Sequence, residues 1–137
     1  ARTAIFTVSK MIKFIEPGPL IVHKSPEGLH VGIPIIYQGF ALDRIHYDPV
    51  NNSFLPKGKP HVKYSGDLDK GKILDNVSNL FKELRVIDAA EYREPEKAWV
   101  VPIAWRHYII AHIKVSSEGK EIIPDYGLTG EIKRKIF

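Results

Sequence analysis

The stretch that decides the fold is residues 98–115, AWVVPIAWRHYIIAHIKV. Almost every odd-numbered position in it is apolar, whereas the even-numbered positions become polar along the segment. A period of two with a single apolar face is typical of a strand in a largely antiparallel sheet, with one side buried. We therefore predict one long strand over 98–115, with these odd-numbered side chains in the core: Trp99, Val101, Ile103, Trp105, His107, Ile109, Ala111, Ile113 and Val115.

An amphipathic helix is predicted over about residues 68–85. Its apolar residues recur at three- and four-residue spacing, which is the period of one helix face. Asp67 or Asp69 is placed to cap the first turn, because a short acidic side chain accepts a hydrogen bond from the free amides there. We expect the helix to pack on the long strand through its apolar positions: Ile73, Leu74, Val77, Leu80, Phe81 and Leu84.

Short strands and turns are predicted for most of the remaining chain, because ten prolines and ten glycines interrupt it at short intervals. Residues 4–15 suit a strand or a short helix, and their β-branched and aromatic content favours a strand. A further long strand is predicted over 35–47, with a bend at Gly39. The other predicted segments are a hairpin with arms 20–23 and 29–36, a turn over 48–52 returning through 53–55, a strand over 61–64, turns over 94–97 and 117–119, a strand over 120–123, and a helical turn over 131–136 capped by Thr129.

Length and composition fit one packed domain. The chain has 137 residues, of which 44% are hydrophobic and 26% are charged, close to the average of globular proteins. We find no internal repeat and no linker-like change of composition. The predicted fold is therefore a single α+β domain over residues 1–137, a mostly antiparallel sheet packed by the 68–85 helix and a short C-terminal helical turn.

Several classes of protein are excluded by composition. The chain contains no cysteine, which excludes disulfide scaffolds, thiolate metal sites and thiol nucleophiles. Its longest apolar runs, such as Ile33–Tyr37, are far shorter than the ~20 residues that span a membrane. Residues 1–5 lack the apolar stretch of a signal peptide, so we expect a cytoplasmic protein. Few heat-labile residues beside many isoleucines and lysines are typical of a thermophile.

The candidate catalytic pair is His112 with Asp125. His112 lies on the polar face of the long strand, and a two-residue turn at Glu118-Gly119 places Asp125 opposite it. A carboxylate there would raise the pKa of the imidazole and hold one tautomer, as a general base requires. A three-residue loop with a bulge at Gly119 pairs His112 with Pro124 instead, and that type of loop is common.

Two further groups of histidines have metal-ligand spacing. A two-residue turn places His23 opposite His30, whereas a turn with a glycine bulge pairs Lys24 with His30, and Gly28 favours the second register. No third ligand accompanies the pair. His46-x-Asp48 also suits a metal, but turn chemistry explains the aspartate equally well. We predict no metal site and no cofactor.

Basic residues point to a polyanion as a partner. The formal net charge is +4, and each phosphate that a basic side chain neutralises releases counterions. On the even-numbered face of the long strand, Tyr108 offers a ring for stacking beside the charges of Arg106 and Lys114. Lys133 and Arg134 add charge on the C-terminal helical turn. These five residues are the candidate polyanion site.

The predicted function is a non-catalytic binding module, with nucleic acid or another polyanion as its partner. Phosphate-loop, dinucleotide, nucleophile-elbow and zinc-protease motifs do not occur in the sequence. A homodimeric assembly subunit is the alternative, and a small enzyme that uses His112 and Asp125 is the third possibility. No association with a membrane is expected.

Overall fold

The structure is a computed structural model that describes residues 1–26, 28–58 and 67–136. The helices are α1 (Arg2–Met11), which a 3₁₀ turn over Ile12–Phe14 continues, α2 (Lys70–Phe81) and α3 (Tyr126–Ile136). The strands are β1 (Glu16–Pro17), β2 (Ile21–Ser25), β3 (Gly28–Tyr37), β4 (Phe40–Asp48), β5 (Ser53–Phe54), β6 (Arg85–Val86), β7 (Glu91–Arg93), β8 (Ala98–Trp105), β9 (Tyr108–Ser116) and β10 (Ile122–Ile123). The predicted strand over 61–64 lies outside the described residues.

Two antiparallel sheets of five strands each form the framework. In the first sheet the order is β1-β3-β4-β5, and β2 also pairs with β3. In the second sheet the order is β10-β9-β8-β6, and β7 also pairs with β8. A single hydrophobic cluster includes side chains from both sheets and from α1 and α2. The prediction of a mostly antiparallel α+β fold is confirmed.

Residues 98–115 form a hairpin rather than one strand. The chain reverses at Arg106 and His107, so that Trp105 pairs with Tyr108. A two-residue turn alone would bring the even-numbered side chains of β9 to the core. A bulge shifts the register between Ile103 and Ala104, because β9 has one extra residue at this point. The extra residue reverses the alternation in β9, so that its odd-numbered side chains lie on the buried face. The unbroken alternation in the sequence therefore conceals a turn.

Three of the predicted core side chains in residues 98–115 are not buried. His107 lies in the turn and is exposed, not in the core. Ile109 is 42% exposed because it precedes the bulge, whereas Ile110 is fully buried. Trp99 is only partly buried at the margin of the core. The other predicted core residues on this face are buried: Val101, Ile103, Trp105, Ala111, Ile113 and Val115.

The first strands of the prediction are also corrected. Residues 2–11 are helical, because Ala4, Val8 and Met11 recur at helical spacing and bury one face, and the helix packs on β6, β8 and β9 of the second sheet. Residues 35–47 are two strands joined by a turn, not one bent strand. Gln38 and Gly39 both have positive φ, at 50° and 83°, which is the conformation of a tight hairpin turn.

The predicted central helix is confirmed over a shorter range, Lys70–Phe81. Asp69 caps it by accepting a hydrogen bond from the Lys72 amide at 3.1 Å. Ile73, Val77 and Leu80 are its buried residues, whereas Leu74 is 36% exposed and does not belong to the core as predicted. None of the helices in the described ranges is long and apolar enough to cross a membrane.

The C-terminal helix begins earlier than predicted, at Tyr126. Asp125 occupies the capping position, since its Oδ1 accepts a hydrogen bond from the Leu128 amide at 2.9 Å. Thr129, the predicted cap, instead donates to the Asp125 carbonyl and accepts from the Ala41 amide. A second, smaller cluster of apolar side chains fixes α3 to the first sheet through Leu128 and Ile132.

Candidate functional site

A broad groove has five aromatic side chains among its lining residues. It has a volume of about 820 Å³ and lies between α1, the β3–β4 turn and the start of α3. Phe6 is 63% exposed, Phe14 66% and Tyr126 67%, which are high values for side chains of this size. The aromatic side chains that line it are Phe6, Phe14, Tyr37, Phe40 and Tyr126. We call this cavity the aromatic groove.

A polar cavity of about 380 Å³ continues the aromatic groove and shares Leu42, Pro124 and Tyr126 with it. Its polar side chains come from both sheets and from the loops beside them: Asp43, Lys57, Arg93, His112, Lys114 and Asp125. A third cavity of about 280 Å³ shares Asp43, Lys57 and Asp125 with the second and adds Arg44, His46 and Glu131. Together the three cavities form one cleft, apolar at one end and charged at the other.

Asp43 joins the two sheets at the charged end of the cleft. A bulge in β4 at Leu42 changes the register, so that Ile35 pairs with Asp43. The Asp43 Oδ2 atom accepts a hydrogen bond from the His112 backbone amide at 2.7 Å and another from Lys57 Nζ at 2.8 Å. The ladder between β10 and β9 ends at the pair Ile123–Lys114, so the carboxylate satisfies the His112 amide beyond the end of the ladder.

The cleft contains both partly buried and exposed ion pairs. Lys57 with Asp43 and Arg44 with Glu131 have side chains less than one third exposed, and the second pair closes to 2.6 Å. Lys114 pairs with Glu96 at 2.9 Å, and both side chains are more than 40% exposed. Exposed pairs of this kind contribute about 0–1 kcal/mol. Their cations are therefore available to a ligand.

His112 and Asp125 line the same cavity, but they do not form the expected dyad. The strand register that would place them opposite each other is the one observed, although the paired strand stops two residues short of Asp125. The Asp125 carboxylate caps α3 instead. Burial, and then the charge of Lys57, lower the pKa of His112 below its usual 6.5, against the opposing effect of Asp43. The predicted upward shift of this pKa is wrong.

Three histidine side chains lie beside one another on neighbouring strands of the first sheet. His23 pairs with His30 across β2 and β3, so the register that pairs Lys24 with His30 is wrong. His30 stacks on His46, with ring centroids 5.2 Å apart. Burial, followed by the charges of His30, Lys57 and Arg44, lowers the pKa of His46 to about 4. Asp48 is buried and accepts the Val50 and Asn51 amides, as in an ordinary turn.

Among the described residues, no group of three histidines or carboxylates has the geometry of a metal site.

The candidate polyanion residues lie in separate places. Arg106 and Tyr108 are at the turn of the β8–β9 hairpin, whereas Lys114 lies six residues further along β9, about 20 Å away at ~3.3 Å per residue. Lys133 and Arg134 are exposed on α3.

Comparison with protein-family models, with curated proteins and with solved structures gives no match. The chemistry of the cleft is therefore argued from its own geometry. The prediction of a strand over residues 4–15 conceals the aromatic groove, because the groove depends on a helix there. A helical interpretation places Ala4, Val8 and Met11 on one face and leaves Phe6 outside it, as a signal of an exposed aromatic surface.

Proposed function

We propose that this protein is a binding module for a small amphipathic acid, a molecule with an apolar or aromatic body and an anionic head group. The observation that supports this proposal is the polarity of the cleft. The aromatic groove shares lining residues with a neighbouring cavity that carries Lys57, Arg93 and Lys114. Binding sites for small molecules are commonly apolar cavities with a few convergent polar groups.

The aromatic groove suits the apolar body of such a ligand. Phe40 and Tyr126 meet edge to face, with ring centroids 6.1 Å apart, and both remain at least 40% exposed. Covering apolar surface of this kind contributes roughly 25 cal/mol for each Å² removed from water. Lys10, whose ammonium lies 5.2 Å from the Phe6 ring centroid, adds a positive charge at the rim.

The charged cavity suits an anionic head group better than a cationic one. Lys114 and Arg93 form exposed pairs with Glu96 and Glu91, so turning them towards a ligand costs little. His112 is half-buried and uncharged at neutral pH, because its pKa is lowered. A neutral imidazole donates one hydrogen bond and accepts another, which fixes the orientation of a polar head group.

Two fluorescent probes test the proposal. 8-Anilinonaphthalene-1-sulfonate carries an aromatic body and a sulfonate, and N-phenyl-1-naphthylamine is the same body without the charge. We expect the sulfonate probe to bind more tightly. Tyr126→Ser should weaken the binding of both probes by about tenfold, since the loss of one well-packed ring is of the order of 1.4 kcal/mol.

Two further variants test separately whether the positive charge of Lys114 contributes to binding and whether the probes bind in the cleft. Lys114→Gln should weaken only the sulfonate probe, because the neutral probe makes no use of the ammonium group. Tyr108→Ser makes the same substitution at an exposed tyrosine outside the cleft, so it should change neither affinity. Equal affinities of the two probes, or an equal effect of Tyr126→Ser and Tyr108→Ser, would contradict the proposal.

A further inference from the structure

A second surface of interest is the turn of the β8–β9 hairpin. Arg106, His107 and Tyr108 are all exposed there. Arg85, from β6, reaches the same turn, and its Nη2 donates a hydrogen bond to the Arg106 carbonyl at 2.7 Å. We call these four residues the tip patch. It is formed by the two sheet strands that flank β8 and by the turn itself.

The arginines of the tip patch differ from the cations of the cleft in their ion pairs. In the part of the chain that the structure describes, neither Arg85 nor Arg106 forms an ion pair with a carboxylate, whereas Lys57, Arg93 and Lys114 each do. An uncompensated pair of guanidinium groups attracts anions, and the planar fork of a guanidinium matches a phosphate.

The position of Arg106 is costly for an arginine. Its φ is 54°, a conformation at the first turn position that favours glycine. The guanidinium carbon lies 4.3 Å from the centroid of the Trp105 ring, so the side chain is held against the end of the core. Tyr108 pairs with Trp105 across the hairpin and leaves 46% of its surface exposed. Tyr108 thus lies opposite Trp105, against whose ring the Arg106 guanidinium packs.

We propose that the tip patch binds single-stranded nucleic acid, independently of the cleft. Arg85 and Arg106 would contact backbone phosphates, and Tyr108 would stack on a base. Base stacking on an aromatic ring requires an unpaired base, which favours a single strand over a duplex. This assignment keeps Arg106 and Tyr108 of the predicted polyanion site and adds Arg85, because Lys114, Lys133 and Arg134 lie elsewhere.

The test is fluorescence anisotropy with a labelled oligothymidylate at several salt concentrations. Arg106→Gly is the informative variant, because glycine accepts the positive φ and preserves the turn. We expect Arg106→Gly and Arg85→Gln each to weaken binding by about tenfold at low salt. Each should also reduce the slope of log K against log salt by about 0.7, the value for one phosphate contact with a single strand.

Matched controls separate a site from general attraction. Lys133→Gln makes the same change of charge as Arg85→Gln on an exposed residue of α3, and it should alter the affinity by less than twofold. Tyr108→Ser should weaken the binding of oligothymidylate but not that of inorganic polyphosphate, which has no base to stack. A thermal melt of each variant confirms that it is folded.

Three results would overturn the proposal. The first is wild-type protein that does not bind oligothymidylate at low salt. The second is an equal loss of affinity in Lys133→Gln and in Arg85→Gln, which would indicate net charge alone. The third is polyphosphate that competes as well as oligothymidylate while Tyr108→Ser has no effect, which would indicate an anion site without base recognition.

Discussion

The Asp43 carboxylate accepts three hydrogen bonds at the charged end of the cleft. Its Oδ2 atom accepts hydrogen bonds from the His112 amide and from Lys57 Nζ. Its Oδ1 atom accepts a hydrogen bond from the Arg44 amide at 2.7 Å. Its side chain is only 19% exposed. Removing this carboxylate leaves a largely buried ammonium and a backbone amide without partners.

Asp43→Ala should therefore destabilise the protein by about 2–4 kcal/mol, the range for loss of a charged hydrogen-bond partner in a buried position. Asp43→Asn should cost less, because an amide oxygen still accepts the His112 amide. Urea denaturation measures both changes, provided that the slope of unfolding free energy against urea is unchanged. A loss below about 0.5 kcal/mol for Asp43→Ala would show that the two sheets do not depend on this carboxylate.

The pKa of His112 reports which charges reach its ring. Lys57 lowers this pKa and Asp43 raises it. Lys57→Met should accordingly raise the pKa, and Asp43→Asn should lower it further, while Asp125→Asn should leave it unchanged because that carboxylate caps α3. An NMR titration of the imidazole resonances measures all three. A fall in the pKa for Asp125→Asn would restore the His112–Asp125 dyad as a candidate for catalysis.

His46 makes stability depend on pH in a defined window. Its pKa is about 4 in the folded protein and 6.5 in an unstructured chain. Between these values the unfolded state binds more protons than the folded state, so stability falls as the pH falls from about 6.5 to about 4. Thermal melts across this range should show a smaller decline for His46→Gln than for wild type. An identical decline in both proteins would show that His46 is not responsible.

At the scale of elements, the β8–β9 hairpin holds the core of the second sheet. Trp105 is 1% exposed and meets Phe54 of the first sheet edge to face, with ring centroids 5.4 Å apart. Trp105→Ala should cost about 3–5 kcal/mol, through lost burial and the cavity left behind. Ile109→Ala, on the exposed side of the bulge, should cost less than about 1 kcal/mol. Similar losses for the two variants in chemical denaturation would mean that the bulge is placed wrongly.

The same hairpin shows what periodicity in a sequence reveals and what it conceals. The alternation in residues 98–115 correctly identified strands and most of the buried side chains. It did not reveal the turn, because the bulge compensates for the change of face that a two-residue turn produces. A turn without glycine, asparagine or proline gives no local signal, and Arg106 takes a positive φ that its residue type disfavours.

Helix α1 and the site that depends on it could not be predicted from propensity alone. The β-branched and aromatic residues of the segment favour a strand, but burial of Ala4, Val8 and Met11 in the core outweighs this weak preference. The aromatic groove needs α1, the β3–β4 turn and α3 together. These three elements are far apart in the sequence and meet only through tertiary packing. The sequence therefore predicted His112 and Lys114 as site residues but not their aromatic neighbours.

At the scale of the whole molecule, the cleft is a product of how the two sheets and α3 meet. Asp43 and Lys57 belong to the first sheet and its outgoing loop, Arg93, His112 and Lys114 to the second sheet, and Asp125 and Tyr126 to the start of α3. No single element carries enough of these groups to bind a ligand. An amphipathic ligand that occupies the cleft should consequently touch all three parts and stabilise the fold.

An NMR titration of the isotope-labelled protein with 8-anilinonaphthalene-1-sulfonate tests this most directly. Binding in the cleft should shift the amide resonances of the aromatic groove and the charged cavity at the same probe concentrations: Phe6, Phe40, Tyr126, His112 and Lys114. One dissociation constant should describe all of them, and the tip patch should remain unshifted. Shifts confined to the tip patch, or different dissociation constants for the groove and the cavity, would contradict a single amphipathic site.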